Sequence, residues 1–190
     1  MKYLKKLPHK ELASLSYDVP KDRSRIRELL KTLQYGYCAY SERFIKSTDS
    51  VHIEHFDGRL KGTEKDSYKN WYAVLAWMNE HKPKKIKPYL PILSPFADDL
   101  PERIIFNDGI FKTKNKEDEA AQNLINYLGW NKKALVDDRN RHLKRIKLLK
   151  SFCNSNEEFK ALLKADKDNL SFVTALEHQF KIPLFDLIIV

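Results

Sequence analysis

The sequence has few cysteines and no long apolar run. Its 190 residues include two cysteines, Cys38 and Cys153, far apart in the chain. Two isolated cysteines do not make a disulfide framework, and they are typical of a protein from a reducing compartment. No apolar segment is long enough to span a bilayer, and no apolar signal segment follows the first six residues. We therefore expect a cytoplasmic protein that has no membrane partner.

Acidic residues are too few to balance the basic ones. The chain has 35 lysines and arginines against 26 aspartates and glutamates, a net charge of +9. This excess favours a polyanionic partner such as nucleic acid, although a solvated basic surface without a ligand would give the same composition. One basic group flanks residues 54–79 and a second lies on one predicted helix. The first group consists of Lys61, Lys65, Lys69, Lys82, Lys84, Lys85 and Lys87. The second consists of Arg139, Arg141, Lys144, Arg145, Lys147 and Lys150.

The first half of the chain predicts a mixture of helices and strands. Residues 1–20 contain Pro8 and Pro20 and show little periodicity, which indicates an extended arm. Apolar residues at i, i+3, i+4 and i+7 predict an amphipathic helix over 22–33, ended by Gly36. Residues 50–56 alternate as a strand does, and the aromatic and alanine-rich residues 71–82 predict a helix ended by Pro83. The order indicates a small ββα unit over about residues 38–82.

The second half predicts a hairpin followed by helices. Residues 84–99 contain three prolines and indicate an irregular connection. Asn107-Asp108-Gly109 between two apolar segments predicts a hairpin over 102–112. Helices are predicted over 117–128, 133–152, 156–163 and 170–180, and the apolar end 182–190 should be buried in the protein or in a partner. These elements make an α+β chain with three parts: an arm and helix (1–36), the ββα unit (37–83) and a hairpin with a helical extension (84–190).

Four polar residues of the ββα unit, Glu54, His55, Asn70 and Asn79, form a pattern with chemical meaning. Glu54 and Asn79 offer oxygen ligands to one hard cation, and a neutral His55 can take a proton from water that attacks phosphorus. Adjacent strand residues point to opposite sides, so Glu54 can face a metal while His55 faces the water. His52 also permits a His-x-x-His zinc interpretation, but no further Cys or His lies at tetrahedral spacing.

The wider pattern adds Tyr37-Cys38-Ala39-Tyr40-Ser41-Glu42, Ile53-Glu54-His55-Phe56, Asn70-Trp71, Asn79 and Lys82. With these residues the chain resembles the HNH endonuclease family. Members of that family commonly have Cys-x-x-Cys, a Glu/Asp-His pair, and Asn-Leu running into Cys-x-x-Cys-Asn-x-x-Lys. The likeness continues more loosely through residues 103–109 and 121–139. That downstream arrangement is similar to the HNH subunits of Septu-type anti-phage systems, including those attached to retrons.

The resemblance implies a ββα-metal core and a role for each matching residue. His55 would be the general base, Glu54 and Asn79 the metal ligands, and Asn70 the organiser of the loop that orients His55. Magnesium or manganese would be the cation. Lys82 would contact phosphate, or it would stabilise the end of the helix through the helix dipole. The basic residues around the site, which include Lys84, Lys85 and Arg59, would bind the nucleic-acid backbone.

The resemblance also implies a partner and leaves more than one function open. The expected activity is hydrolysis of DNA or RNA, with tRNA as one candidate, by a defence nuclease that acts with an ATPase encoded in the same operon. The alternative is a catalytically inactive subunit that binds nucleic acid or assembles a complex. The aromatic residues Tyr68, Trp71, Tyr72 and Trp77 would stack on bases in the first case, or simply form the core of the unit.

The sequence departs from the family at its structural zinc site. The family usually holds this zinc with two Cys-x-x-Cys pairs, and the four positions here are Cys38, Ser41, Leu75 and Met78. Because one thiol cannot hold a tetrahedral zinc, we expect no structural metal. Apolar packing of Leu75 and Met78, with Trp71 and Trp77 nearby, is expected to replace it.

Overall fold

Two antiparallel strands and a short helix occupy the segment predicted as a ββα unit. In the computed structural model, which describes residues 8–189, β1 (Val51–His55) pairs with β2 (Trp71–Leu75), and Ile53 lies opposite Ala73. The helix α3 (Ala76–His81) follows β2 directly. The strand predicted over 50–56 is confirmed. The helix predicted over 71–82 is wrong in its first half, because residues 71–75 form a strand.

Burial on both faces explains why β2 was mistaken for a helix. All five of its residues are buried, so the strand lacks the alternation of a half-exposed one. Trp71 and Ala73 face a small apolar cluster, while Tyr72 and Val74 face the main core. A short, wholly apolar run of this kind fits a buried strand and a buried helix equally well by pattern.

Two helices precede the hairpin and pack against it. The helix α2 (Asp22–Leu33) has the predicted bounds, and its buried Ile26, Leu29 and Leu30 share the small cluster with Trp71 and Ala73. The extended arm predicted over 1–20 is wrong for α1 (Lys10–Ser14), which buries Leu12 fully; residues 1–7 lie outside the described part of the chain. This short helix escaped prediction because five residues show no periodicity.

The second half follows the predicted order. The helix α4 (Leu100–Arg103) leads into the hairpin of β3 (Ile104–Asn107) and β4 (Ile110–Thr113), whose turn residues Asp108 and Gly109 both have positive φ. Four helices follow: α5 (Glu119–Leu128), α6 (Lys133–Lys150), α7 (Asn156–Ala165) and α8 (Val173–Phe180). The α+β class is therefore confirmed.

The apolar end predicted to be buried, 182–190, is buried in the protein itself only in part, because Ile189 is 45% exposed and residue 190 lies outside the described residues. Ile182, Leu184 and Ile188 belong to the main core, and Glu177 Oε1 accepts hydrogen bonds from the backbone N–H groups of Leu184 (2.8 Å) and Phe185 (2.9 Å). The same core extends back to residue 37, so the segments 37–83 and 84–189 share it. Within residues 8–189 no helix is both long and apolar enough to cross a membrane.

Candidate functional site

The end of β1 places the predicted site residues on one cavity. Glu54 and His55 are the last residues of β1, and both line a cavity of about 250 Å³. Asn79 of α3 lines it too, as do Lys61 from the loop between the strands and Lys84 beyond α3. The structure therefore brings together three of the four residues predicted to act in catalysis. Asn70, the fourth, is buried and does not line the cavity.

His55 is held by a carboxylate that the sequence did not single out. Its Nε2 lies 3.0 Å from Asp66 Oδ2, and both side chains are only 6% exposed. Asp66 is fixed in turn, because its Oδ1 accepts a hydrogen bond from Trp71 Nε1 (2.6 Å) and its Oδ2 accepts one from the Gly62 backbone (3.3 Å). A carboxylate only accepts, so Nε2 of His55 carries the proton and Nδ1 keeps its lone pair.

The surroundings of His55 favour its neutral form. Burial lowers the pKa of His55 below its ordinary value of 6.5, and Asp66 offsets only part of this effect. Tyr17 from the N-terminal segment packs edge-on against the imidazole, with 4.6 Å between ring centroids. The Tyr17 ring also lies under the Lys61 ammonium at 4.9 Å. A neutral, oriented imidazole beside basic residues can accept a proton near neutral pH.

Glu54 is paired with Lys82 deep in the cavity wall. Glu54 Oε1 lies 2.8 Å from Lys82 Nζ, and neither side chain exposes more than 10% of its surface. Burial raises the pKa of Glu54 and lowers that of Lys82, and each ion partly offsets the shift of the other. Lys82 also donates to the Tyr127 hydroxyl (2.6 Å), which donates to the Phe56 carbonyl (2.8 Å). This chain of contacts ties α3 and α5 to the end of β1.

Asn79 is oriented by a histidine. Its Nδ2 donates to His52 Nδ1 (2.9 Å), which directs the amide nitrogen towards β1. The carbonyl oxygen of the side chain makes no hydrogen bond with any residue of 8–189 and remains available at the cavity wall. His52 thus supports Asn79, and this contact defines its place in the site.

Asn70 closes the loop that follows His55. Its Oδ1 accepts a hydrogen bond from the Asp57 N–H (2.8 Å), and its Nδ2 donates to the Asp57 carbonyl (3.0 Å). Its own backbone carbonyl accepts a hydrogen bond from Phe56 (3.0 Å). Both ends of the loop are joined at this point, two residues after His55, so Asn70 fixes the direction in which the chain leaves β1.

The basic residues predicted to bind nucleic acid lie in different surroundings. Lys82 is buried in its ion pair, at the cavity wall and away from the outer surface. Lys84 is exposed, lines the cavity and donates to the Asn79 backbone carbonyl (3.3 Å). Lys85 is exposed. Arg59 is also exposed and forms a two-point ion pair with Asp57, which raises the pKa of the guanidinium and lowers that of the carboxyl.

The donor set at the cavity fits one loosely held hard cation. Within residues 8–189 no three His, Cys, Asp or Glu side chains are grouped to hold a metal ion. Glu54 and Asn79 offer one carboxylate and one amide oxygen. Mg²⁺ is commonly held by one or two carboxylates, with water and substrate phosphate completing its shell. The residues therefore fit a cation that arrives with a phosphate, and Lys82 competes for the carboxylate.

The four positions of the family's zinc site all lie in the protein interior. Cys38, Leu75 and Met78 belong to the main core, and Ser41 is also buried. The Leu75 N–H donates to Cys38 Sγ (3.4 Å). Trp77 packs against this core, whereas Trp71 lies in the small cluster on the opposite face of the hairpin. The expected role of Trp71 beside Leu75 and Met78 is therefore wrong.

Sequence reasoning missed Asp66, Tyr17 and Tyr127, because each reaches the site from a separate element whose position no local pattern reveals. No protein-family model, curated protein or solved structure matches this chain. Membership of the HNH family therefore stays a prediction from the residue pattern.

Proposed function

We propose that this protein is a nuclease of the HNH type that hydrolyses phosphodiester bonds with the help of a divalent cation. One observation carries the proposal: His55, held by Asp66, lies on a cavity that also presents Glu54, Asn79 and lysines. A buried, oriented histidine beside several cations suits attack of water on a phosphate. The strand, strand and helix order of residues 51–81 supports a ββα-metal core.

His55 and Asp66 carry out the proposed proton transfer, and lysines at the cavity bind the phosphate. Neutral His55 accepts the proton of the attacking water at Nδ1, while Asp66 keeps the Nε2 proton in place and stabilises the imidazolium that forms. Lys61 and Lys84 attract and hold the phosphate at the cavity mouth. Asn70 keeps the loop closed, so that the distance between His55 and Asp66 does not change.

The oxygens of Glu54 and Asn79 are the proposed ligands of Mg²⁺ or Mn²⁺. When bound, the cation supplies charge stabilisation on the phosphate and on the leaving oxygen. The sequence resemblance of residues 37–82 and of the segments downstream supports an extension of the proposal: an effector nuclease of an anti-phage system that acts on DNA or tRNA with an ATPase partner. In the apolar tail, Ile182, Leu184 and Ile188 are buried in the core and offer no surface to that partner, whereas Ile189 is 45% exposed.

A second candidate function follows from the Glu54–Lys82 pair. Lys82 neutralises Glu54, the carboxylate proposed to hold the cation, and replacement of a metal by an ammonium group is one way to obtain an inactive subunit that still binds nucleic acid. Calorimetric titration with Mn²⁺ distinguishes the two functions. No binding at millimolar Mn²⁺ in the presence of nucleic acid favours the inactive subunit.

The direct test is cleavage of labelled DNA and tRNA with Mg²⁺, with Mn²⁺ or with EDTA, each with and without any ATPase that proves to be encoded beside the protein. We expect cleavage that requires the cation, and a loss of roughly 10²–10⁴-fold in His55→Ala. His178→Ala is the matched control, because His178 packs on Phe106 away from the cavity. Equal activity of His55→Ala and wild type would remove His55 from the mechanism. No cleavage under any condition would remove the proposal.

A further inference from the structure

A groove on the far side of α3 combines an apolar chamber with a basic one. Both chambers have a volume of about 210 Å³, and they share Arg43, Asp138 and Arg141. The apolar chamber is completed by Trp77, Ala134 and Leu135. The basic chamber is bordered by Lys46 and Arg145, with His142, Asp168 and Phe172 among its other walls. Neither chamber contains a residue of the cavity around His55.

Positive charge exceeds negative charge in the basic chamber. Four cations line it, Arg43, Lys46, Arg141 and Arg145, against the two carboxylates Asp138 and Asp168. Each carboxylate is shared: Asp138 lies 3.4 Å from Arg43 and 3.7 Å from Arg141, and Asp168 lies 3.0 Å from Lys46 and 3.9 Å from Arg145. Four positive charges less two negative ones leave an excess of two, which matches the charge of about −1.5 to −2 on a phosphate monoester.

Buried neighbours hold the walls of the basic chamber. His142 Nε2 donates to the Asn169 carbonyl (3.2 Å), so its Nδ1 accepts from Arg145 Nη2 (3.3 Å) and fixes that guanidinium. Burial, with the nearby Arg145, lowers the pKa of His142 and keeps it neutral, so that it can accept this bond. Next to Arg43, the buried Glu42 accepts from the Phe172 N–H through its backbone (2.8 Å). These bonds fix Arg145 and the backbone of Phe172 in the wall of the chamber.

The apolar chamber suits a flat aromatic group. Trp77, which stacks on His81 with 4.2 Å between ring centroids, forms one wall, and the buried Leu135 forms another. Arg43 and Arg141 lie at the junction with the basic chamber. An aromatic surface beside paired cations is the arrangement with which proteins bind a base and its phosphate. We propose that the groove binds a nucleotide, with its base against Trp77 and its phosphate among Arg43, Arg141 and Arg145.

Nucleotide binding in the groove does not require hydrolysis at His55, so the two properties can be measured separately. Trp71 and Trp130 are each about 1% exposed, so Trp77 is the partly exposed tryptophan and its fluorescence reports on the groove. The titration uses adenosine monophosphate, adenosine, inorganic phosphate and a short single-stranded oligonucleotide, all in EDTA. The variants are Arg141→Ala, which removes a side chain that is 76% exposed, Lys147→Ala as the exposed control on the same helix, and His55→Ala.

We expect saturable quenching by the monophosphate, and binding at least tenfold weaker for adenosine and for phosphate alone. Arg141→Ala should weaken binding by about tenfold or more, as the loss of a charge-assisted hydrogen bond predicts. Lys147→Ala and His55→Ala should match wild type. Quenching by the oligonucleotide alone would also support the proposal and assign the groove to a strand. No saturation with either ligand, equal affinity of Arg141→Ala and wild type, or phosphate binding as tight as that of the monophosphate would overturn it.

Discussion

Replacement of Asp66 by asparagine tests the central contact of the candidate site. The change keeps the size of the side chain and an oxygen that can accept from Trp71, but it removes the charge 3.0 Å from His55 Nε2. Asp66 raises the pKa of His55 against the larger effect of burial. A hydrogen bond to a charged group contributes about 1.5–3 kcal/mol, so its loss should lower the pKa of His55 further.

The variant should also change the tautomer of His55. An asparagine amide can donate to Nε2, which would move the proton to Nδ1 and remove the lone pair that accepts a proton from water. We therefore expect two effects together: a lower plateau of activity, by roughly 10²–10⁴-fold, and an acidic limb of the pH profile that moves to lower pH. A purely structural role of Asp66 would lower the plateau and leave the limb in place.

Nitrogen-15 NMR of the imidazole measures both effects without an activity assay. Wild type should show Nε2 protonated and a pKa below 6.5, and Asp66→Asn should titrate at lower pH still. Asp57→Asn is the matched control, because it removes a carboxylate of the same loop that pairs with Arg59 instead. A protonated Nδ1 in wild type, or an unchanged titration of His55 in Asp66→Asn, would refute the reasoning.

The sign of the effect on stability follows from the same pKa. Because His55 titrates lower in the folded protein than in the unfolded chain, the unfolded chain binds the proton first as the pH falls. The contribution of neutral His55 to the free energy of unfolding is thus fully present above pH 6.5. It is lost as the pH falls towards the lowered pKa. Because Asp66→Asn lowers the pKa of folded His55 further, the loss of this contribution should continue to a lower pH in the variant than in wild type.

Three further changes test the surrounding structure, each measured by urea unfolding. Asn70→Ala removes both side-chain bonds to the Asp57 backbone and should cost about 1–3 kcal/mol; an unchanged midpoint would contradict the proposed loop closure. Glu54→Gln leaves Lys82 buried without its counter-ion and should cost about 3–5 kcal/mol, and the double change with Lys82→Met should recover much of that loss. If the addition of Lys82→Met does not recover stability, Glu54 and Lys82 are not strongly coupled. Leu184→Ala truncates a fully buried side chain and should cost about 2–5 kcal/mol, whereas a cost near zero would show that the apolar tail is not part of the core.

Periodicity predicted the elements whose burial is one-sided. The predicted bounds of α2 agree with the structure to the residue, because Ile26, Leu29 and Leu30 lie on one face of the helix and its other faces are polar. The hairpin of β3 and β4 was found because Asp108 and Gly109 adopt the positive φ that its turn requires. The strand β2 was missed because burial on both faces erases the alternation that separates a strand from a helix.

The chemistry of the site was predictable only where it depends on residue type. Glu54, His55 and Asn79 could be chosen because a carboxylate, an imidazole and an amide have known uses. The partners that orient them could not be chosen, because the contact of Lys82 with Glu54 depends on where α3 ends relative to β1, and that of Asp66 with His55 depends on the path of a loop. Such contacts follow from tertiary packing, which leaves no local trace in the sequence.

The loop between β1 and β2 is much longer than strand pairing requires. Two residues suffice to join antiparallel strands, yet the chain uses residues 56–70 for this connection. Much of the loop is polar and exposed, so little of its length is explained by the core. It supplies Asp66 to His55 and Lys61 to the cavity, and Asn70 closes it. A loop that buries Tyr68 and partly buries Phe56 but is otherwise largely exposed, and that fixes a buried histidine and a cation beside a cavity, fits the chemistry proposed at that cavity.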